Sequence, residues 1–381
     1  MCWQETDALS ERQRFVHLYE SRAFTMSELC ERFGVSRPTG YVWFDRYLQE
    51  GADGLLERSR HPHTSPNRTP PEIESSIVRV RQQHPRWGPV TVVGYLRRRH
   101  PKKTWPAPST AGEILKRHGL VEPRRKRRQV RHPGRPYLPM QAPNDTWAAD
   151  FKGEFKTRDG RYCYPLTITD GHSRFLLACR GRLTTSYEVA RPVFEETFRT
   201  YGLPHQILSD GGSPFGSTAL AGLSRLGVWW VKLGIQPVHI QPGHPEQNGR
   251  HERMHRTLAP TTRPPAGNLS AQQRRFSQFM TEYNELRPHR ALDLQTPSEL
   301  YTPSPRPYSG RTPEIEYPAH FEVRKADVGG RISWHDRPLR VSKVLRGELI
   351  GLEPIEERLY HVYFGPLLLG VFDQDSWQIH G

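Results

Sequence analysis

Apolar residues recur at helical spacing over most of the first third of the chain. Residues 8–50 fit three short helices. The second has Thr25 and Glu28 at the spacing of a capping box, and its apolar residues share one face. Gly34 ends this helix, and Ser36 can cap the next one. Two short helices joined by a tight turn predict a helix-turn-helix, whose second helix normally enters a DNA major groove.

A Pro-rich stretch separates this unit from a second helical one. The segment "SRHPHTSPNRTPPE" at 59–72 is typical of a linker. Residues 70–121 contain three more helical segments, the last with Thr110 and Glu113 at capping-box spacing, and they predict a second helix-turn-helix. Residues 122–140 are interpreted as a basic linker, because they combine Pro and Gly with a dense run of Lys and Arg.

From residue 145 the helical period gives way to strand-like runs. "TWAADFKGEFK", "RYCYPLTITD" and "RFLLACRGRL" are separated by turn signals, and helices and strands then alternate. This order predicts an α/β core with a mixed sheet over residues 141–303. Short strands with tight turns predict a small SH3-like β-barrel at 318–381. The expected fold is therefore multidomain, with all-α helix-turn-helix units at 1–58 and 70–121 before the core.

The net charge of +15 is unevenly distributed along the 381 residues. Residues 1–135 hold 26 Lys or Arg against 14 Asp or Glu, whereas the remainder holds 29 against 26. This asymmetry predicts a polyanionic partner, most often nucleic acid. The chain lacks an apolar run of the ~20 residues that a membrane span needs, and its first residues do not resemble a secretory signal, so we expect a cytoplasmic protein. Four scattered cysteines disfavour a disulfide scaffold or a cysteine-based zinc site.

Three acidic residues are candidates for a metal site. Asp150 and Asp210 stand at predicted strand ends, and Glu246 is expected in the first turn of a helix, with 35 residues between it and Asp210. Magnesium binds through a few carboxylates and keeps other positions for water and phosphate oxygens. Alternatively, Glu246 is a helix-start acid favoured by the helix dipole by roughly 0.3–1 kcal/mol. Asp170 also ends a strand and is interpreted as a turn residue.

Four motifs in this order resemble a known family: "WAADFKG", "SDGGSPF", "GHPEQNGRHERMHRTL" and "YNELRPHRALDLQTPSELY". The chain resembles, over nearly its whole length, the DDE transposases of bacterial insertion sequences, whose catalytic core is similar to retroviral integrase. The resemblance implies an RNase H-like core in which Asp150, Asp210 and Glu246 converge on two Mg²⁺ ions, with Mn²⁺ as a substitute. Two such ions about 4 Å apart can activate a nucleophile and stabilise the leaving oxygen.

The resemblance also implies the reaction and its partners. Such a transposase binds the terminal inverted repeats of its element, cleaves to expose 3′-OH ends and joins these ends to target DNA. The implied partners are double-stranded DNA and further copies of the same chain, as a dimer or tetramer on DNA in a bacterial nucleoid. Two alternatives stay open: a regulator that binds DNA without catalysis, which the intact acidic residues disfavour, and a nuclease that cuts without joining.

Basic and polar residues near the acids and in the N-terminal third are candidates for DNA contact. In a helix that includes Glu246, Arg250 and Arg253 share its face and lie up to roughly 10 Å along the axis. An ordinary solvated basic face is the alternative for these two arginines. The residues predicted to contact DNA are Arg37, Thr39 and Arg46 in the first helix-turn-helix, Arg124, Arg125, Lys126, Arg127 and Arg128 in the basic linker, and Gln247, Asn248, Arg250 and Arg253 after Glu246.

Overall fold

The computed structural model describes residues 7–58, 68–121, 138–241 and 244–380. They belong to two compact units, Met1–Thr69 and Pro70–Gly381. The helices are α1 (Ala8–Glu20), α2 (Met26–Phe33), α3 (Arg37–Glu50), α4 (Pro71–Gln83), α5 (Pro89–Arg99), α6 (Pro108–Arg117), α7 (Tyr187–Tyr201), α8 (Arg225–Lys232), α9 (Gly249–Leu258), α10 (Leu269–Thr281) and α11 (Pro297–Leu300). The strands are β1 (Thr146–Phe151), β2 (Phe155–Lys156), β3 (Tyr162–Asp170), β4 (Leu176–Arg182), β5 (Gln206–Ser209), β6 (Gln236–His239), β7 (Glu322–Lys325), β8 (Arg331–Trp334), β9 (Arg337–Arg340), β10 (Leu349–Glu356), β11 (Leu359–Phe364), β12 (Leu367–Asp373) and β13 (Gln378–His380).

The first unit contains the three helices predicted for residues 8–50. The capping box at the start of α2 is present, because the Thr25 hydroxyl accepts from Glu28 N while the Glu28 carboxylate accepts from Thr25 N. Gly34 ends α2 with a φ of 65°, a left-handed conformation that favours glycine. The Ser36 side chain caps α3 by accepting from Thr39 N. The predicted helix-turn-helix elements are therefore confirmed.

Close contact between α2 and α3 depends on the glycine at position 40. A Cβ atom there would lie 2.6 Å from Cys30 Sγ and 2.9 Å from Met26 Sδ. Cys30 and Leu29 of α2 are buried with Phe15 of α1 in the small core of this unit. Any larger residue at Gly40 must push α3 away from that core.

The second helical unit, residues 70–121, contains α4, α5 and α6 around a core that includes Ile77, Trp87 and Trp105. The capping box predicted at Thr110 is absent, because α6 begins two residues earlier at Pro108 and its N-cap residue is Ala107. Proline fixes φ at a helical value and lacks the N–H that the first turn leaves unpaired, so it favours an earlier helix start.

This second helical unit is attached to the last helical segments of the core. Arg98 of α5 forms an ion pair with Glu299 of α11. His84 Nδ1 lies 2.9 Å from Oε1 of Glu282, just after α10. Side-chain contacts of this kind hold the second helical unit directly against the core.

The core contains the predicted mixed sheet. Its strand order is β2-β3-β1-β5-β6, and β4 pairs with the far edge of β3. The pairs β1–β3 and β3–β4 are antiparallel, whereas β1–β5 and β5–β6 are parallel. Ile168 of β3 belongs to the cluster formed with α7 and α8, while the neighbouring Thr167 contacts α9. Since successive strand residues point to opposite faces, α7 and α8 cover one face and α9 covers the other.

The C-terminal region is antiparallel, as expected. Strands β13-β12-β11-β10-β7 form one sheet and β8–β9 a hairpin, and both contribute to one core around Trp334, Ile350 and Phe372. Lys232 of α8 pairs with Glu348 at 2.7 Å, which ties this region to the central core. Helical units before a mixed-sheet core, with an antiparallel β region behind it, confirm the predicted fold class. In the described part of the chain, no helix is long and apolar enough to cross a membrane.

A leucine at Gly40 tests the packing of the first helix-turn-helix. Gly40→Leu should destabilise the first unit by about 1–3 kcal/mol or more, because the added side chain overlaps Cys30 and Met26. Hydrogen exchange on the full chain should show faster exchange in α1–α3 and unchanged exchange in β1 and β5. Gln49→Leu, on the exposed side of α3, is the control. Slow exchange in the Gly40 variant would contradict the packing argument.

Candidate active site

Parallel pairing of β1 with β5 brings two aspartates to the same edge of the sheet. Ala148 lies opposite Leu208, and Asp150 and Asp210 each follow two residues later on their own strands. The Asp150 side chain is 24% exposed, whereas Asp210 is exposed just beyond the end of β5. The two carboxylates predicted from strand ends are thus brought together.

Asp150 holds its proton more tightly than an ordinary carboxyl group. Burial raises the pKa of Asp150 to about 7, and the negative charges of Asp210 and Glu252 add to this effect. Near neutral pH, the site therefore contains either a protonated carboxyl group or carboxylates that a cation must neutralise. A divalent cation suits this second state, because oxygen anions are the ligands that Mg²⁺ prefers.

The glutamate whose charge acts on Asp150 is Glu252, in the first turn of α9. Glu246 lies earlier, in a 3-10 turn over Pro245–Asn248. Its carboxylate is 2.7 Å from His244 Nδ1, and this hydrogen bond lowers the pKa of Glu246. Among the described residues, the structure gives no contact that joins Glu246 to Asp150 or Asp210.

The expectation that Glu246 opens the helix is wrong, because α9 starts at Gly249. Asn248, with φ −104° and ψ 13°, interrupts the helical conformation between the 3-10 turn and α9. Arg250 and Arg253 therefore do not share a continuous α-helical face with Glu246. A residue count along the sequence cannot distinguish a glutamate in a helix from one in the turn before it.

Two histidines of α9 fasten this helix to the sheet. His251 Nε2 lies 2.8 Å from the Thr167 hydroxyl, and its Nδ1 lies 2.6 Å from the Thr169 hydroxyl. His255 Nε2 is 2.7 Å from the same Thr167 hydroxyl. Burial lowers the pKa of His251 well below its ordinary value and that of His255 to about 4, so both rings are neutral at physiological pH.

These histidines also lie beside the acidic cluster. Ligand atoms of Asp150, His251 and His255 are all within 4.8 Å of one another. Neither histidine was predicted from the sequence to belong to the site. Their spacing of four residues, which places two side chains on one face of a helix, was the available signal. Lys152, after the end of β1, contributes positive charge close to His255.

Four arginines form a second feature of the site, the arginine cluster. Its members are Arg174, Arg250, Arg253 and Arg287. Burial lowers the pKa of Arg174 to about 10, with the charge of Arg250 adding to the effect, and burial also lowers the pKa of Arg287. Arg174 and Arg250 both donate to Gly171 O, at 2.9 and 2.7 Å. In the part of the chain that the structure describes, none of the four has a carboxylate within ion-pair distance.

The cluster is compensated only in part, because the charge of Asp170 acts on Arg174 and Arg250, and that of Glu282 on Arg287, without a direct ion pair among the described residues. Partly buried cations without paired anions are costly, and an anion that binds between them offsets that cost. Arg250 and Arg253 were predicted from sequence to contact DNA, whereas Arg174 and Arg287 were not. Arg174 sits at a turn with a φ of 65° and Arg287 follows a π-helical turn, so neither belongs to a periodic basic pattern.

The remaining predicted DNA-contact residues have different environments. Gln247 forms a hydrogen bond pair with Gln241, and Asn248 is 6% exposed. Arg37 and Thr39 are exposed in the first turn of α3. Arg46 instead donates to Leu56 O at 2.7 Å and lies over the ring of Trp43, so it is engaged within its own unit. Arg124, Arg125, Lys126, Arg127 and Arg128 lie outside the described residues.

Asp170 is the last residue of β3, and its carboxylate stabilises the turn that follows the strand. It is 1% exposed. Its carboxylate accepts hydrogen bonds from Asn144 N and from both the N–H and the hydroxyl of Ser173. These bonds occupy the carboxylate within its own loop.

Four regions of the chain match known protein families. Residues 140–245 and 233–297 match two family descriptions that both read "Integrase core domain". Residues 7–56 and 39–115 match "Homeodomain-like domain" families. Separate parts of the chain are therefore similar to integrase core domains and to homeodomain-like domains.

Two viral polyproteins are similar to part of this chain. A stretch of 120 residues is 36% identical to the Pol polyprotein of feline endogenous virus ECE1, covering 31% of this chain and 11% of that polyprotein. A stretch of 119 residues is 36% identical to the Gag-Pol polyprotein of baboon endogenous virus strain M7, covering 31% and 6%. This chain thus spans about a tenth or less of the length of these two relatives. Both relatives are retroviral, and a bacterial insertion-sequence origin stays a prediction.

Solved integrases are structurally similar at low sequence identity. The HTLV-2 integrase catalytic core domain in complex with magnesium is 16% identical, with a TM-score of 0.34, over 44% of this chain and all of that one. A simian T-cell lymphotropic virus intasome in complex with PP2A regulatory subunit B56 gamma is 15% identical, with a TM-score of 0.37, over 77% of this chain and 98% of that one.

Removal of the Asp150 charge should stabilise the metal-free protein. The pKa of Asp150 in the folded protein, about 7, lies above its ordinary 3.8. The folded state thus keeps a proton that the unfolded chain has lost, and stability falls as pH rises from about 4 to 7. Asp150→Asn should raise the free energy of unfolding by about 1–3 kcal/mol at pH 8 and by little at pH 4.

Urea unfolding in EDTA at both pH values measures this gain. Asp159→Asn is the control, because the hydrogen bond from Thr157 lowers the pKa of Asp159, so its substitution should not stabilise. An Asp150 variant that is no more stable than wild type at pH 8 would mean that the carboxylates do not repel each other in the folded protein.

Proposed function

We propose that this protein is a transposase that binds the terminal inverted repeats of its own element, cleaves the DNA to expose 3′-OH ends and joins these ends to target DNA. The observation that carries the proposal is the pair of Asp150 and Asp210 at one sheet edge, together with Glu252 of α9, whose charge acts on Asp150. Its position within the integrase core supports phosphoryl transfer. A homo-oligomer on DNA is part of the same proposal, because two element ends must be held together.

The donor set fits divalent cations. Asp150, Asp210 and Glu252 would hold them, and the raised pKa of Asp150 reflects burial first and then the negative charges of Asp210 and Glu252, whose repulsion cations would relieve. Two bound Mg²⁺ ions would supply Lewis-acid stabilisation of the attacking and leaving oxygens. The residues of the chain position the carboxylates: β1 and β5 hold the aspartates, while α9, fastened through His251, holds Glu252.

The arginine cluster would hold the phosphate backbone beside these carboxylates. Glu252 and two members of the cluster, Arg250 and Arg253, are within four residues of one another on α9. A phosphate between Arg174, Arg250 and Arg287 would receive charge-assisted hydrogen bonds and would offset the burial of these guanidinium groups. The DNA end is thereby placed near the acidic site without a covalent link to the protein.

The first helix-turn-helix would read the repeats through α3. Arg37 and Thr39 in its first turn are exposed, as residues that contact base edges must be. Tyr41 and Val42 add an apolar surface that was not predicted from the sequence. Their side chains are 48% and 54% exposed. Apolar side chains at such positions can contact thymine methyl groups in the major groove.

Substitution of the two candidate glutamates tests the catalytic assignment. Glu252→Gln should reduce cleavage and joining at least about 100-fold, because the amide no longer neutralises a cation, while repeat binding is unchanged. Glu246→Gln is the matched variant and should retain most activity, since Glu246 contacts only His244 in the described structure. Both activities are measured on labelled repeat DNA with Mg²⁺, together with gel-shift affinity.

The possible results of this experiment distinguish between three models of the reaction. If only Glu246→Gln loses activity, then Glu246, which was predicted from the 35-residue spacing, is the third acidic residue of the metal site. Full activity in both variants would refute a carboxylate-metal mechanism. Cleavage without joining by the wild-type protein would indicate a nuclease.

Salt dependence tests the arginine cluster. Arg174→Gln and Arg287→Gln should each reduce the slope of log K against log salt by about 0.9 if one phosphate contact is lost. Joining should fall more than affinity, because the cluster positions the DNA end. Arg199→Gln, an exposed residue of α7 on the opposite face of the sheet, is the control. An unchanged slope in both cluster variants would rule out phosphate contact there.

A further inference from the structure

The Thr167 hydroxyl is the centre of a hydrogen-bond network beside Asp150. Its oxygen lies 3.0 Å from the Asp150 carbonyl oxygen, 2.8 Å from His251 Nε2 and 2.7 Å from His255 Nε2. A hydroxyl group has one proton to donate and two lone pairs that accept. Only one of its three neighbours can therefore receive the proton, and the other two must donate.

One arrangement of protons satisfies every group of this network. Thr167 donates to the Asp150 carbonyl oxygen, and both histidines donate from Nε2. His251 Nδ1 then accepts from the Thr169 hydroxyl at 2.6 Å, so both nitrogens of this ring are engaged. His255 is left with a proton on Nε2 and a lone pair on Nδ1.

The free lone pair of His255 lies next to an acidic oxygen. Nδ1 is 3.7 Å from Asp150 Oδ2, and the described residues contain no hydrogen bond to it. This separation is too long for an N–H···O hydrogen bond. A nitrogen lone pair and a carboxylate oxygen repel each other unless a positive group joins them.

A shared cation fits this separation. Two ligands bonded at about 2.1 Å lie roughly 3 Å apart on adjacent positions and roughly 4 Å apart on opposite ones, and 3.7 Å falls between these limits. The His255 side chain is 13% exposed and that of Asp150 24%, so the pair is sheltered but open to solvent. Lys152 is the protein cation whose charge reaches His255, yet the hydrogen bonds and ion pairs of the described residues do not join it to either atom.

We propose that Nδ1 of His255 is a nitrogen ligand of the cation held by Asp150, and that it makes the site select Mn²⁺ or a similar transition metal over Mg²⁺. This inference rests on the proposed function, which assigns Asp150 to a metal site. Mg²⁺ strongly prefers oxygen ligands, whereas an imidazole nitrogen favours transition metals. His251 is excluded as a ligand because both its nitrogens are hydrogen-bonded to threonines.

Pulsed electron paramagnetic resonance of Mn²⁺ bound to the full chain tests this ligand directly. Protein labelled with ¹⁵N-histidine should show coupling from a directly bound nitrogen that differs from that of unlabelled protein. His255→Asn should abolish the coupling and lower the preference for Mn²⁺ over Mg²⁺ about tenfold in competition titrations. Asparagine can still donate to Thr167, which keeps the change local. His205→Asn, an exposed position before β5, is the control and should behave as wild type.

The results separate this inference from the proposed function. Suppose that Asp150→Asn abolishes Mn²⁺ binding but the wild-type protein shows no nitrogen coupling. This result would overturn the role of His255 and leave the carboxylate site in place. An unchanged Mn²⁺ preference in His255→Asn would overturn it as well. Mn²⁺ binding that is indifferent to Asp150→Asn would refute both the nitrogen ligand and the proposed metal site. Isotope labelling of the wild-type protein keeps the test valid even where the variant folds poorly.

Discussion

Burial of the Asp150 carboxyl group beside the negative charges of Asp210 and Glu252, at the edge shared by β1 and β5, is the constraint on which the rest of the core depends. Parallel pairing of these strands places Asp150 and Asp210 at the same edge, and Glu252 adds a third negative charge. Such an arrangement destabilises the folded chain at neutral pH unless cations are present. The surrounding structure must therefore hold the acids in place against their own repulsion.

Helix α9 provides much of that restraint. His251 is held by two threonine hydroxyls of β3, so the helix cannot slide along the sheet without breaking hydrogen bonds in a buried place. The same helix carries Glu252, His255 and two members of the arginine cluster. In the proposed function, metal ligands and phosphate contacts on this one helix would keep a fixed distance from each other, as a reaction between a metal site and a DNA backbone requires.

Two opposite charge excesses thus lie close together in the core. Burial disfavours the charged forms of Asp150, Arg174 and Arg287 in the free protein, and the charges of Asp170 and Glu282 offset part of this cost for the two arginines. In the proposed function, divalent cations and DNA phosphates would offset these costs in the same bound state. The second helical unit is fixed to the core through Arg98 and His84.

The sequence by itself determined the order of the domains, the helix-turn-helix at α2 and α3, the mixed sheet and the pair of aspartates. Those features depend on local periodicity, caps and strand ends, which neighbouring residues specify. Only the tertiary structure decided the environment of Glu246 and Glu252, because a break at Asn248 separates the turn from α9. It also decided the roles of His255, Arg174 and Arg287, whose partners come from distant strands and turns. Contacts between residues far apart in sequence leave no periodic signal, and they become visible only when the chain is folded.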